Sequence, residues 1–275
     1  YYLKLNVFFK NDLIFYMIKF QRSKGKLDLI FKNNNIKKFY QKGASKAILP
    51  NVDDIPNQLI LINTAGGITS GDEYLTSIEL DNTFICTSTQ AAEKIYKGNQ
   101  GPGLVKIEIN IKNNSSLYWM PQELILFNSC NFKRRLNINL SQNSNLLICE
   151  SVIFGRTSMN EKFTSGLFSD FWKISNNNKL LHIEAINTEG YKEKNFSQSA
   201  TFNNNCALNV IIGIGKDILK KGKIIKDLLE YSQNITCQIS IWDEKLIIRT
   251  ISKDNYHLKI ELRKILPYFF KNKTL

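Results

Sequence analysis

Apolar and polar residues alternate along most of this chain. In LVKIEINIK, Val105, Ile107, Ile109 and Ile111 fall on one side, against Lys106, Glu108, Asn110 and Lys112 on the other. A strand sends successive side chains to opposite faces, so this period of two predicts a strand with one face in a core. KGKLDLIFK (Leu27, Leu29, Phe31) and RRLNINL (Leu136, Ile138, Leu140) repeat the device. NQLILIN, TFICTST, SLYWM, ELILF, NLLICESVIF, FWKIS and KLLHIEAIN are further short runs, punctuated by clusters such as KNNSS, SQNSN and SNNNK. Such spacing over Leu27–Asn187 predicts a mainly β, extended strand-rich body.

Two late segments break the pattern. GKDILKKGKIIKDLLEYSQN spaces Ile218, Ile225, Leu228 and Leu229 as a helix does, and DNYHLKIELRKILPYF sets Leu258, Leu262, Ile265 and Leu266 on one face, ending near Pro267. Between them, CQISIWDEKLIIRTIS predicts a strand pair around a turn at Asp243 and Glu244. Neither a domain boundary nor a fixed repeat is evident, and the helices are expected to cover the β body. Residues 17–275 are read as a single domain. Residues 1–16, ahead of Met17, are expected to be an extension outside it.

Composition changes this picture little. A 43% hydrophobic chain of 275 residues with 17 Phe has material for a large core. The net charge of +13 invites a nucleic-acid or anionic-membrane partner. Lys, Asn and Ile are used heavily throughout, however, and the densest cationic clusters, FKRR (Phe132–Arg135) and LKKGKIIK (Leu219–Lys226), are short. A solvated cationic surface is favoured, with a patch for an acidic protein partner second. Five scattered cysteines show neither CxxC nor finger spacing, which argues against a disulfide scaffold or zinc site and suits a reducing cytosol. No apolar run approaches the roughly 20 residues of a membrane helix.

The stretch NTAGGITSGD (Asn63–Asp72) carries the first candidate chemistry. It lacks both the GK[ST] of a phosphate loop and GxGxxG spacing, and a strand-like EYLTSIEL follows. Gly66, Gly67 and Gly71 are therefore expected to permit positive φ or close backbone approach, holding Asp72 at a rim. The only histidines, His182 and His257, lie near no nucleophile signature and are expected to be structural or surface residues. What remains is a scatter of carboxylates: Asp72, Glu93, Glu123, Glu150, Glu161 and Glu184. Glu150 interrupts LLICESVIF and Glu123 follows WMPQ. A buried carboxylate must be paired, hydrogen-bonded, neutralised or functional, and Arg156, just past Gly155, is a candidate partner.

Read together, KGKLDLIF, NTAGGITSGD, STQAAEKIYKG, WMPQELILF, LNINLSQNSNLLICESVIFGR and NEKFTSG, in that order, resemble the urease accessory protein family UreD, also called UreH. The resemblance runs on weakly to LIIRTISKDNYHLKIELRKIL and covers nearly everything from about Lys24. One departure is Asn160, where the family commonly carries Gly before Glu. The resemblance implies a β-helix-like body with a few helices and no catalysed reaction. It also implies a cytoplasmic complex with UreF, the GTPase UreG and the urease apoprotein, leaving self-association open, and a passage for Ni²⁺ with no tightly bound cofactor. Asp72, Glu93, Glu123, Glu150 and Glu161 are the candidate transit set, Arg156 orienting a carboxylate. Trp119, Pro121 and Gln122 are weighed as a partner interface against plain core packing, and QAAEKIYKG as a short helix or turn.

A competing class is a β-rich hydrolase using Glu123 and Glu150 as paired carboxylates on a carbohydrate-type substrate, which requires both acids in one cleft. A basic adaptor for RNA or membrane is a third class, disfavoured because no basic run is interleaved with aromatics.

Overall fold

The computed structural model describes residues 21–50, 57–98, 101–141, 143–156, 159–228 and 235–270. Residues 1–16 and Leu229 lie outside them. Two sheets stack face to face. The first, of seven strands, runs β15 (Lys179–Asn187), β14 (Leu167–Asn176), β11 (Asn131–Leu140), β8 (Gly103–Lys112), β5 (Glu73–Asp81), β1 (Lys24–Lys32) and β2 (Asn35–Gly43). The second runs β17 (Ile235–Trp242), β18 (Lys245–Ser252), β16 (Ala207–Ile214), β12 (Asn145–Arg156), β9 (Ser116–Trp119), β6 (Phe84–Thr89), β4 (Gln58–Asn63) and β3 (Ser45–Ile48). Three short strands extend it: β7 (Glu93–Ile95) and β10 (Leu124–Leu126) pair with each other, β10 also pairs with β12, and β13 (Glu161–Lys162) pairs with β12.

The chain winds. From β4 to β14 it alternates between the sheets, and each strand lies parallel to its counterpart one coil earlier: β1, β5, β8, β11 and β14 in one sheet, β4, β6, β9 and β12 in the other. Asparagine makes many of the corners. Asn33, Asn34, Asn82, Asn113, Asn114, Asn177 and Asn178 all have φ between 41° and 65°. That left-handed region is costly for most residues, and asparagine tolerates it because its short amide bonds locally. Corners of successive coils also bond to one another: Asn82 Nδ2 donates to Asn33 Oδ1 at 2.9 Å, and Asn113 Nδ2 to Asp81 Oδ1 at 2.8 Å.

The main core fills the space between the sheets with Leu29, Ile78, Ile109, Ile138, Leu117 and Ile148, each 2% exposed or less. A second apolar layer lies on the outer face of the larger sheet. There Leu147, Ile211 and Ile248 meet α2 (Lys216–Leu228), α3 (Asn255–Ile265) and α4 (Pro267–Phe270). The two long helices and the β17–β18 turn, with φ of 43° at Asp243 and 61° at Glu244, follow the expectation from sequence. A short helix, α1 (Glu193–Ser197), and the edge strand β2 were not anticipated. QAAEKIYKG, expected as a helix or turn, holds β7, because its backbone pairs with β10 and, at Ile95, with Ile68. The described cysteines form no disulfide, and burial pushes the pKa of the Cys130 and Cys149 thiols up to about 12. No described helix is long and apolar enough to cross a membrane.

Asp254 caps α3: its Oδ1 accepts from the His257 backbone N–H at 2.8 Å. Replacing Asp254 with Ala should destabilise the protein by about 1 kcal/mol, read as a lower urea midpoint at unchanged slope.

Candidate functional site

The glycine loop between β4 and β5 has φ of 75° at Gly66, 149° at Gly67 and 78° at Gly71. A Cβ on Gly67 would sit 2.3 Å from the Tyr96 ring and 2.7 Å from the Lys94 carbonyl oxygen. Glycine is required there because the backbone around β7 closes on it: Ile68 N–H donates to Lys94 O and Tyr96 N–H to Ile68 O, both at 2.8 Å. Asp72 is not presented at a rim. It is buried, and its two oxygens accept the backbone N–H groups of Ser23 at 2.8 Å and Thr69 at 2.9 Å. Both oxygens are spent on closing the loop.

Behind this loop lies a cavity of about 280 Å³ between the sheets. Three of the quoted motifs converge on its mouth, through Asn63 and Gly66, Ala91 to Glu93, and Pro121 with the exposed Gln122. Leu61, Val105, Ile107, Leu124 and Phe132 make apolar walls. Glu93 is half-buried at the mouth and accepts from Asn63 Nδ2 at 3.0 and 3.2 Å. Burial raises its pKa to about 7 despite those bonds.

The floor is a buried ionic cluster. Arg134 of β11 donates from Nε to Asp170 Oδ1 at 2.9 Å and from Nη2 to Asp170 Oδ2 at 2.6 Å, and the same Nη2 lies 2.6 Å from Glu150 Oε2. Trp119 Nε1–H donates to Glu150 Oε1 at 2.6 Å. Asp170 thus takes the guanidinium side-on, while Glu150 shares one of its nitrogens. Burial raises the Glu150 pKa; Arg134 opposes this and the neighbouring Asp170 adds to it. The partner of Glu150 is therefore Arg134, not Arg156, which lies at the far end of β12. Trp119, 2% exposed, belongs to the core and not to a partner surface. Beyond the cluster, a recess of about 10 Å³ is lined by Glu150, Asp170, Trp172 and Glu184. Glu184 accepts from Arg249 and, at 3.2 Å, bonds His182 Nε2; burial raises its pKa, but these partners bring it below the usual range.

The remaining acids go elsewhere. Glu161 accepts from Arg156 Nε at 3.1 Å and from the Asn128 backbone N–H at 2.9 Å, and the arginine holds its pKa low. So Arg156 does orient a carboxylate, in a hairpin at the end of β12, with its guanidinium 4.2 Å from the centre of the Phe127 ring. Gly155 (φ 85°) admits the close pass of Glu161 O, and Asn160 adopts φ 52°, a conformation suited to the family's usual glycine. Glu123 accepts from Lys259 at 2.5 Å and Asn255 at 3.2 Å, both on α3; burial raises its pKa, but these partners bring it below the usual range. Helix α3 covers the outer face of the larger sheet, whereas Glu150 points inward. The two acids occupy opposite faces, which removes the paired-carboxylate cleft. Among the described residues, no three His, Cys, Asp or Glu side chains gather closely enough to cage a metal ion.

Removing the cation from the floor strands two buried carboxylates. Arg134→Met should cost about 3–5 kcal/mol in chemical denaturation, much of it recovered when Glu150→Gln and Asp170→Asn are added. Glu93 gives a pH signature. Its pKa of about 7 in the fold lies above the unfolded value, so the native state holds an extra proton between about pH 4.5 and 7. Its contribution to stability is present at low pH and is lost as pH rises through 7. Glu93→Gln should therefore gain on wild type by up to about 3 kcal/mol between pH 5 and 8, measured as the difference in unfolding free energy.

Comparison with known sequences agrees with the motifs. Residues 23–271 match the family described as UreD urease accessory protein. Urease accessory protein UreD of Rhizobium leguminosarum bv. viciae is 34% identical over 245 residues, 87% of this chain and 88% of that protein. The protein of the same name from Agrobacterium fabrum is 30% identical over 250 residues, 88% and 86% of the two chains. Urease accessory protein UreD 1 of Brucella melitensis biotype 1 is 28% identical over 245 residues, 86% of each. With its β architecture and a match that spans nearly all described residues, this chain belongs to the UreD family of urease accessory proteins.

Proposed function

We propose that this protein is a non-catalytic urease maturation factor that joins UreF and UreG on the urease apoprotein and passes Ni²⁺ toward the urease active site. The carrying observation is the interior cavity with one carboxylate at its mouth, Glu93, and another at its floor, Glu150. Ni²⁺ accepts oxygen ligands but is held harder by imidazole and thiolate. A transit route must bind firmly enough to admit an ion and loosely enough to release it. A carboxylate at the mouth of an apolar-walled cavity, with no cage of imidazoles or thiolates among the described residues, suits that demand. Glu93 is ionised above about pH 7, where it can accept a cation, and protonation below that would favour release. At the floor, the excess of two carboxylates over one guanidinium favours a further cation. Asp72, Glu123 and Glu161, each held by other groups, are not assigned to this route.

Urease activation in cells carrying UreF, UreG and the apoprotein tests the reading. Glu93→Gln and Glu150→Gln should each lower activation and nickel content of urease several-fold while the accessory complex still assembles. Glu161→Gln should leave both near wild type. Full activation by the Glu93→Gln/Glu150→Gln double variant would overturn the route.

A further inference from the structure

Among the described residues, the outer face of the seven-stranded sheet carries exposed apolar and charged side chains. Helices α2, α3 and α4 pack on the other sheet. All-parallel sheets are almost always covered on both faces, yet β1, β5, β8, β11 and β14 show one face to solvent. Leu75 and Leu104 are 48% and 43% exposed at the start of β5 and β8. The register sets Glu73 beside Leu104 and Leu75 beside Lys106, so the two leucines are diagonal neighbours.

The charge around them is ordered. Every acid in the strands of this face, Asp28, Glu73, Glu79, Asp81 and Glu108, is taken by a lysine of the same face. Lys26, Lys133 and Arg135 have no acid partner among the described residues, and their strand positions ring the leucine pair: Lys26 beside Leu75, Lys133 beside Leu104, Arg135 beside Lys106. Arg135 is exposed, one residue from the inward Arg134. The surplus on this face is wholly positive.

We infer that this face is a docking surface for an acidic protein with an apolar centre that covers Leu75 and Leu104. The inference rests on the maturation role above in taking that partner from the urease assembly. Interspersed acids would repel a phosphate backbone or an anionic bilayer, whereas alternating signs around an apolar pair suit a protein surface of complementary pattern. Desolvated apolar anchors inside a polar rim are the usual energetic arrangement of such contacts.

The test uses the full chain with purified UreF, UreG and urease apoprotein, each binding step measured separately. Two variants address the patch: Lys26→Glu/Lys133→Glu/Arg135→Glu, and Leu75→Ser/Leu104→Ser. A charge-matched control, Lys216→Glu/Lys220→Glu/Lys223→Glu, lies on α2, and melting temperatures verify folding. One binding step should weaken at least tenfold in both patch variants, with its salt dependence lost in the first, while the control binds as wild type. Equal weakening in the control would assign the effect to bulk charge and overturn the inference. So would unchanged binding in both patch variants, or selective loss of RNA binding alone. If wild type binds none of the three proteins, the maturation role falls with it; if wild type binds and the patch variants match it, only the docking face falls.

Discussion

The structure turns on one guanidinium. Arg134 rises from the seven-stranded sheet, takes Asp170 on the neighbouring strand and reaches Glu150 on the opposite sheet, where Trp119 holds the second oxygen. It joins the two layers at a depth where a charge without a partner would be prohibitive. It also leaves the interior one negative charge in excess when both acids are ionised. An apolar core would have joined the sheets at less cost; what the ionic cluster adds is a set of charged groups at the floor of the cavity.

The glycine loop serves the same construction from above. Its positive φ values and the bonds of Asp72 draw the backbone around β7 close, and that approach frames the mouth in which Glu93 sits. Motifs that look separate along the chain are thus three sides of one opening. The signature is mainly one of backbone geometry, with Glu93 the carboxylate it sets at the opening.

Much of this was legible in the sequence. Period two identified β1, β8 and β11, short apolar runs marked most other strands, and the 3.6-residue spacing located α2 and α3. Parallel coiling was legible only through the family resemblance, since nothing local says which strand is the neighbour. The edge strand β2 is exposed on both faces and has no alternation to read. Glu150 was conspicuous as an acid in an apolar run, but its partner was hidden in FKRR, which looks like a surface cluster. The signal was there: Arg134 shares parity with Leu136, Ile138 and Leu140, as Asp170 does with Phe168, Trp172 and Ile174. Arg156 shares parity with Glu150 on the same strand, and its choice weighed sequence proximity over a partner from the facing sheet.

The asparagine corners carry a chemical consequence. Asparagine is among the thermolabile residues, and hydrolysis of a side-chain amide replaces a neutral donor with an anion. At Asn113 the lost amide is the group that donates to Asp81. Two carboxylates would then confront each other where one coil meets the next, so prolonged heat would age this body at its bends before its strands.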